Sequence, residues 1–295
     1  MKTFEFLSGE MGELLWPSVV AGVAIALLGA ILSVPVVLKR LAFIGQGVSH
    51  AAFGGAGLAL ILGLTGATAA ASFGYLAVVG GFCVCAALGV ALAAQREKPE
   101  GRAAAPAGSE DTLIGVLLVA SMALGALLTH WHRQNAGGAR APSAEQMLFG
   151  SILDVGWADA GFAWGVLLIA GAVLWHARRP MAFYLFDEPA AEAFGVRTKV
   201  LAATLLTLLG VATVVSMKLA GAVLATALLV LPGATALRLS ERLPRVIAFA
   251  CAAALTGVLG GLVVSFEFDL PPGACVVLAL VALYAGASII RPALR

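Results

Sequence analysis

An all-α, polytopic transmembrane bundle is the fold class this chain predicts, and three observations predict it. Of its 295 residues 61% are hydrophobic and only 12% charged, where an ordinary soluble domain carries about 25% charged residues. The mean hydropathy is +1.01. Apolar runs close to the roughly 17 to 25 residues that cross a bilayer recur along the chain and leave little sequence for a soluble domain, so residues 1–295 read as one transmembrane domain.

Nine runs stand out, at 17–38, 41–63, 73–94, 112–130, 158–177, 199–217, 219–237, 246–266 and 273–290. Each is long enough for a helix, the element that satisfies its own backbone hydrogen bonds in hydrocarbon. The run at 41–63 holds Gly45, Gly47, Gly54, Gly55 and Gly57, which weaken it as an isolated helix and leave eight spans plus one broken segment as the alternative. The first run follows a piece with Lys2 but also Glu5, Glu10 and Glu13, so it is expected to be a span and not a cleaved signal peptide.

Charge placement orients the spans. With the connection at 178–198 on the cytoplasmic side, alternation puts 14 of the 18 Lys and Arg residues on that side, leaving Lys2, Arg133, Arg140 and Lys218 opposite. The positive-inside bias therefore predicts nine spans, an outside N-terminus and a cytoplasmic C-terminus. A net charge of +2 points to no nucleic-acid partner; the expected surroundings are the lipid bilayer. The connection at 95–111 reads as a flexible cytoplasmic loop, and 131–157 is the longest outer connection, with an apolar stretch MLFGSILDVGW suited to the membrane surface. Gly161/Gly165 and Gly257/Gly261 have the small-residue spacing that permits close helix approach.

Within GQGVSHAAFGG (45–55), Gln46 and His50 are four residues apart and share one helix face. Imidazole is a common ligand for zinc and other transition metals, and an amide oxygen is a weaker, harder donor. A polar residue inside a span must face protein or a water-filled path. Two readings follow: a contact for a passing cation, or hydrogen-bond partners that hold helices together. Two donors do not fill a four-coordinate zinc shell, so a metal site here would need water, another helix or a second copy facing it across a two-fold axis.

The run LKRLAFIGQGVSHAAFGG resembles the signature of the integral-membrane permease subunits of bacterial zinc, manganese and iron ABC importers: a basic pair, a short apolar step, then Gly-Asp-x-x-Ser/Ala-His and small residues. Lys39, Arg40, Gly45, Ser49 and His50 match. Gln46 stands where many members have aspartate, which removes one carboxylate per subunit. EDTLIGVLL (110–118), LFGSILDV, MKLAGAVLATALLVLPGATALRLS and FDLPPGACVVL are similar to further family segments in the same order.

The resemblance implies a permease subunit of an ATP-driven importer in the bacterial cytoplasmic (inner) membrane, working as a homodimer. Its transported ion would be a divalent transition metal, zinc first and manganese next, with no permanently bound cofactor. His50 and Gln46 are the candidate metal contacts, and Glu267 and Asp269 are candidates for the outer mouth. Asp187, Glu188, Ala190, Ala191 and Gly195, in FDEPAAEAFGVRTK, form a short amphipathic helix with a glycine C-cap. That helix corresponds to the family's coupling helix, which docks into a cytoplasmic ATPase. A separate ATPase is required because the chain has no G-x-x-x-x-G-K-[ST] phosphate loop, and an extracytoplasmic metal-binding protein would deliver the ion.

An ion-gradient-driven secondary transporter is the alternative class, but no internal repeat supports it. A membrane metalloprotease would need H-E-x-x-H, which is absent, so the chain is expected to be no enzyme itself. His130 and His132 read as interfacial, and His176, next to Arg178 and Arg179, as snorkelling. Cys83, Cys85, Cys251 and Cys275 read as packing residues without metal or disulfide.

Overall fold

In a computed structural model of the chain, residues 12–64, 69–96, 109–135 and 155–290 are described. They form α1 (Gly12–Leu38), α2 (Ala42–Ile61), α3 (Ala69–Arg96), α4 (Ser109–Asn135), α5 (Trp157–His176), α6 (Arg178–Phe186), α7 (Glu188–Ala193), α8 (Thr198–Leu239), α9 (Leu243–Phe268) and α10 (Pro272–Ile290). Helices cover all nine apolar runs apart from Leu41, Leu62, Gly63 and Ala177. Among the described residues seven segments are long and apolar enough to cross a membrane, two of them halves of α8. Most of the connection at 95–111 and the stretch MLFGSILD of the outer connection lie outside the described residues.

The chain forms two compact units: residues 1–42, 145–196 and 215–295 make the first, and 43–144 with 197–214 the second. In the first unit α1 is the central rod. Ala24, Leu28 and Leu32 are at most 1% exposed, and Trp164 Nε1 of α5 donates to the Val20 carbonyl at 3.2 Å. The second half of α8 comes so close that a Cβ at Gly29 would lie 2.9 Å from Leu228 Cβ. α9 and α10 form an antiparallel pair turned by Asp269, which sits in the left-handed region (φ 53). Its N–H bonds the Ser265 carbonyl, while Ser265 Oγ donates to the Leu270 carbonyl at 2.6 Å.

The Gly257/Gly261 pair is the reason α9 and α10 pack backbone to backbone. A Cβ at Gly261 would strike Val276 Cα and one at Gly257 the Leu280 side chain, whereas nothing lies within 4 Å of Gly161 or Gly165. Identical spacing thus marks a helix contact in α9 and none among the described residues around α5. Overpacked sites of this kind cost about 1–3 kcal/mol. Gly261→Val is therefore expected to lower the unfolding midpoint of the purified chain by several degrees, and Gly161→Ala to leave it unchanged, as read by the tryptophan fluorescence of thermal melts.

In the second unit α2 runs unbroken over 20 residues despite its glycines, because they carry packing and not flexibility. A Cβ at Gly55 would lie 2.9 Å from Val79 Cα of α3, at Gly47 2.9 Å from the Ile114 side chain, and at Gly57 2.9 Å from Leu128 Cβ of α4. The approach is reciprocal: a Cβ at Gly125 of α4 would sit 2.5 Å from the Phe53 carbonyl oxygen. What a lone helix loses in propensity is offset by backbone contacts that larger residues would prevent.

α8 is two rods joined at Gly221, whose φ of 78° and ψ of 166° interrupt the helix. An L-residue would be strained there. The break follows Lys218 and coincides with the boundary between two expected spans, 199–217 and 219–237.

Candidate functional site

Three places in the chain carry the predicted residues. α2 presents Gln46 and His50, the α9–α10 turn carries Glu267 and Asp269, and the stretch from α6 to the start of α8 carries Asp187, Glu188, Ala190, Ala191 and Gly195.

On α2, Val48, Ser49 and residues 51 to 57 are buried, while Phe43 and Gln46 are exposed and His50 is half-buried. Gln46 and His50 thus lie on a stripe in this part of α2 that the described residues leave uncovered. The His50 ring lies nearly parallel to that of Phe53, with centroids 6.2 Å apart and planes 22° apart. Among the described residues its Nδ1 is a buried side-chain polar atom with no hydrogen-bond partner, an unusual state in proteins. Ser49, by contrast, turns inward and donates to the Gly45 carbonyl at 2.9 Å, which leaves it a helix-packing role. The opposite side of α2 is held by α3, where Cys83 Sγ donates to the Val48 carbonyl at 3.5 Å. Among the described residues no cluster of three or more His, Cys, Asp or Glu side chains could hold a metal ion. The described residues of one copy therefore offer an incomplete donor set.

At the α9–α10 turn, Asp269 is exposed and shapes the left-handed turn, while Glu267 is half-buried and makes a polar contact of its own. Both carboxylates lie close to the turn, so local geometry explains Asp269 without an ion.

α7 is built by local chemistry. Asp187 is the N-cap and its Oδ1 accepts from the Ala190 N–H at 3.0 Å, Pro189 occupies the first turn, and Ala191 is fully buried. At the other end Gly195 takes φ 79. The Gly195 N–H bonds the Glu192 carbonyl and the Val196 N–H the Ala191 carbonyl, closing the helix in the manner of a glycine C-cap. Phe194 beside it is 81% exposed, and its ring tilts on Phe183 with centroids 5.8 Å apart.

This corner is tied to the end of α1 by a contact that residue spacing could not reveal. Lys39 Nζ lies 2.8 Å from Glu188 Oε2 and 3.8 Å from the centroid of the buried Tyr184 ring. The lysine is 14% exposed and the glutamate 46%, so a cation–π contact and an ion pair share a partly dry site. Burial, aided by the Glu188 charge, pushes the Tyr184 phenol up to about 12, and it stays neutral beside the lysine. Tyr184 was missed because it reads as one aromatic in an apolar helix; the basic pair Lys39/Arg40 was the available signal.

The remaining histidines lie outside any such grouping. Gln134 Nε2 donates to His130 Nε2 at 2.9 Å on the exposed end of α4. His176 is exposed at the end of α5, where Arg178 covers the Trp175 ring at 4.3 Å. All four cysteines are free.

Known proteins resemble this chain along most of its length. The manganese transport system membrane protein MntC of Halalkalibacterium halodurans is 28% identical over 274 residues, covering 92% of this chain and 85% of that protein. The high-affinity zinc uptake system membrane protein ZnuB of Haemophilus influenzae is 26% identical over 277 residues, 93% of this chain and 96% of its own length. Among solved structures, PsaBC from Streptococcus pneumoniae in complex with Fab superposes with a TM-score of 0.76 at 23% identity, over 97% of this chain and 94% of that one, a likeness of fold. The family model described as the ABC 3 transport family matches residues 11–291, and this multi-pass membrane protein belongs to that family.

Proposed function

We propose that this chain is the permease subunit of an ATP-driven importer for a divalent transition-metal ion, working as two copies around a shared pathway in the bacterial cytoplasmic membrane. The observation that carries the reading is the open stripe of α2, where the exposed Gln46 and the half-buried His50 ring, whose buried Nδ1 has no hydrogen-bond partner among the described residues, stand on an otherwise buried helix. Polar groups of this kind do not face hydrocarbon. A second copy across a two-fold axis would bring two imidazoles and two amides to one point. Imidazole suits zinc, amide oxygen suits a harder ion such as manganese, and relatives named for each metal match nearly the whole chain. Release into the cell requires a contact that holds the ion weakly.

Nine spans, an outside N-terminus and a cytoplasmic C-terminus complete the proposal; the helices at all nine apolar runs and the lysine and arginine bias support it. In that orientation residues 178–198 face the cytoplasm, and α7 is the segment that docks into a separate ATPase. A metal-binding protein would meet the opposite face, where Glu267 and Asp269 attract cations. The test is metal accumulation in proteoliposomes holding the chain with its ATPase: labelled zinc or manganese should enter only with ATP. Uptake driven by a proton gradient without the ATPase would replace this reading with a secondary transporter.

A further inference from the structure

Where α8 ends and α9 begins, three helices of the first unit leave an open groove of about 340 Å³, at the small end of the ~300–1,000 Å³ typical of ligand sites. Leu239 of α8, Phe249 of α9, and Leu283 and Gly286 of α10 line it, along with Thr235 and Thr256. Both hydroxyls are already turned onto their own helices: Thr235 Oγ1 donates to the Leu231 carbonyl at 2.7 Å and Thr256 Oγ1 to Ala252 at 2.8 Å. The slot therefore offers a polar ligand no free donor. It suits hydrocarbon.

Its mouth is different. Arg245 lies four residues before Phe249 and so on the same stripe of α9, and Arg242 is the N-cap of that helix. Both are exposed, and among the described residues neither guanidinium has a side-chain partner. Arg238 is engaged instead, donating from Nη2 to the Tyr284 hydroxyl at 2.9 Å. Counting Arg238, Glu241, Arg242 and Arg245, three positive charges against one negative leave the corner at +2, and the N-terminus of the 26-residue α9 adds to that field.

We propose that this groove is a binding site for an anionic phospholipid, one acyl chain lying between α9 and α10 and the phosphodiester against Arg242 and Arg245. Charge complementarity selects this occupant: the slot needs a hydrocarbon tail and its mouth an anion, and α9 and α10 are both apolar enough to lie in the bilayer that supplies such molecules. Basic pockets between spans bind anionic headgroups by the same chemistry. The assignment does not depend on the transported ion or on the ATPase.

The experiment titrates the full chain in detergent with phosphatidylglycerol, phosphatidylcholine or inorganic phosphate, reading the thermal midpoint, with native mass spectrometry counting retained lipid. Phosphatidylglycerol should raise the midpoint of the unsubstituted chain and phosphatidylcholine much less. In an Arg242→Gln/Arg245→Gln variant half-saturation should rise roughly 30-fold, each arginine near a lipid surface contributing about a factor of five. Gly286→Leu, whose side chain enters open space, should fold normally and lose the response by filling the slot. Equal responses to both lipids, a response to inorganic phosphate alone, or an unchanged Gly286→Leu response overturns the proposal. So does a change of oligomeric state in Gly286→Leu, which would mean that a second copy covers the groove.

Discussion

Replacing His50 with alanine is expected to abolish most metal uptake while the chain still reaches the membrane and melts at an unchanged temperature. The reasoning rests on position. His50 is half-buried on the uncovered stripe of α2, and its Nδ1 contributes no hydrogen bond within the described chain, so truncation removes no internal polar contact. Its ring contact is with Phe53, worth a small part of the stability. If the ring is a resting point for the ion, its loss should reduce uptake at least about tenfold, since even residues that only support a metal ligand change affinity 10–100-fold. Gln46→Ala should have a smaller effect, and Gln46→Asp should strengthen metal retention by restoring a carboxylate. Wild-type uptake by His50→Ala, measured against surface-expressed protein, would return the residue to a packing role.

The second large effect is expected at the knot joining α1 to α7. Glu188→Gln is predicted to lower ATP-driven uptake about tenfold, on the scale of a coupling free energy of 1–3 kcal/mol, while ATP hydrolysis by the assembled complex continues. Stability should hardly change, because a pair whose acid is nearly half exposed contributes at most about 1 kcal/mol. Lys39→Glu should produce the same uncoupling, and the exchanged pair Lys39→Glu/Glu188→Lys should regain part of the loss. If uptake and hydrolysis fall together in every variant, the knot serves assembly and not transmission.

The helices were legible because apolar runs of sufficient length have one backbone solution in hydrocarbon. The same logic misjudged the glycines of α2: propensity marks them as helix-weakening, but Gly47, Gly55 and Gly57 are where α3 and α4 press closest, and a partner helix cannot be read from one strand of sequence. For the same reason Gly161/Gly165 and Gly257/Gly261 looked alike, and only the neighbours distinguish them. The α7 caps were legible at Asp187 and Gly195, since both ends obey local rules. The Lys39–Glu188 pair spans 149 positions, a separation at which pattern carries no information. The shared face of Gln46 and His50 follows from spacing alone, but that this face is left open depends on what packs elsewhere on α2.

α7 is stoppered at both ends by its own chain, with Asp187 holding the first turn and Gly195 ending the last. It is only six residues long, too short to persist as a free helix, yet it presents Phe194 from a shape already set. Whatever surface it meets has little disorder to suppress on contact, so its association is expected to lose less entropy than that of a loop that must fold as it binds.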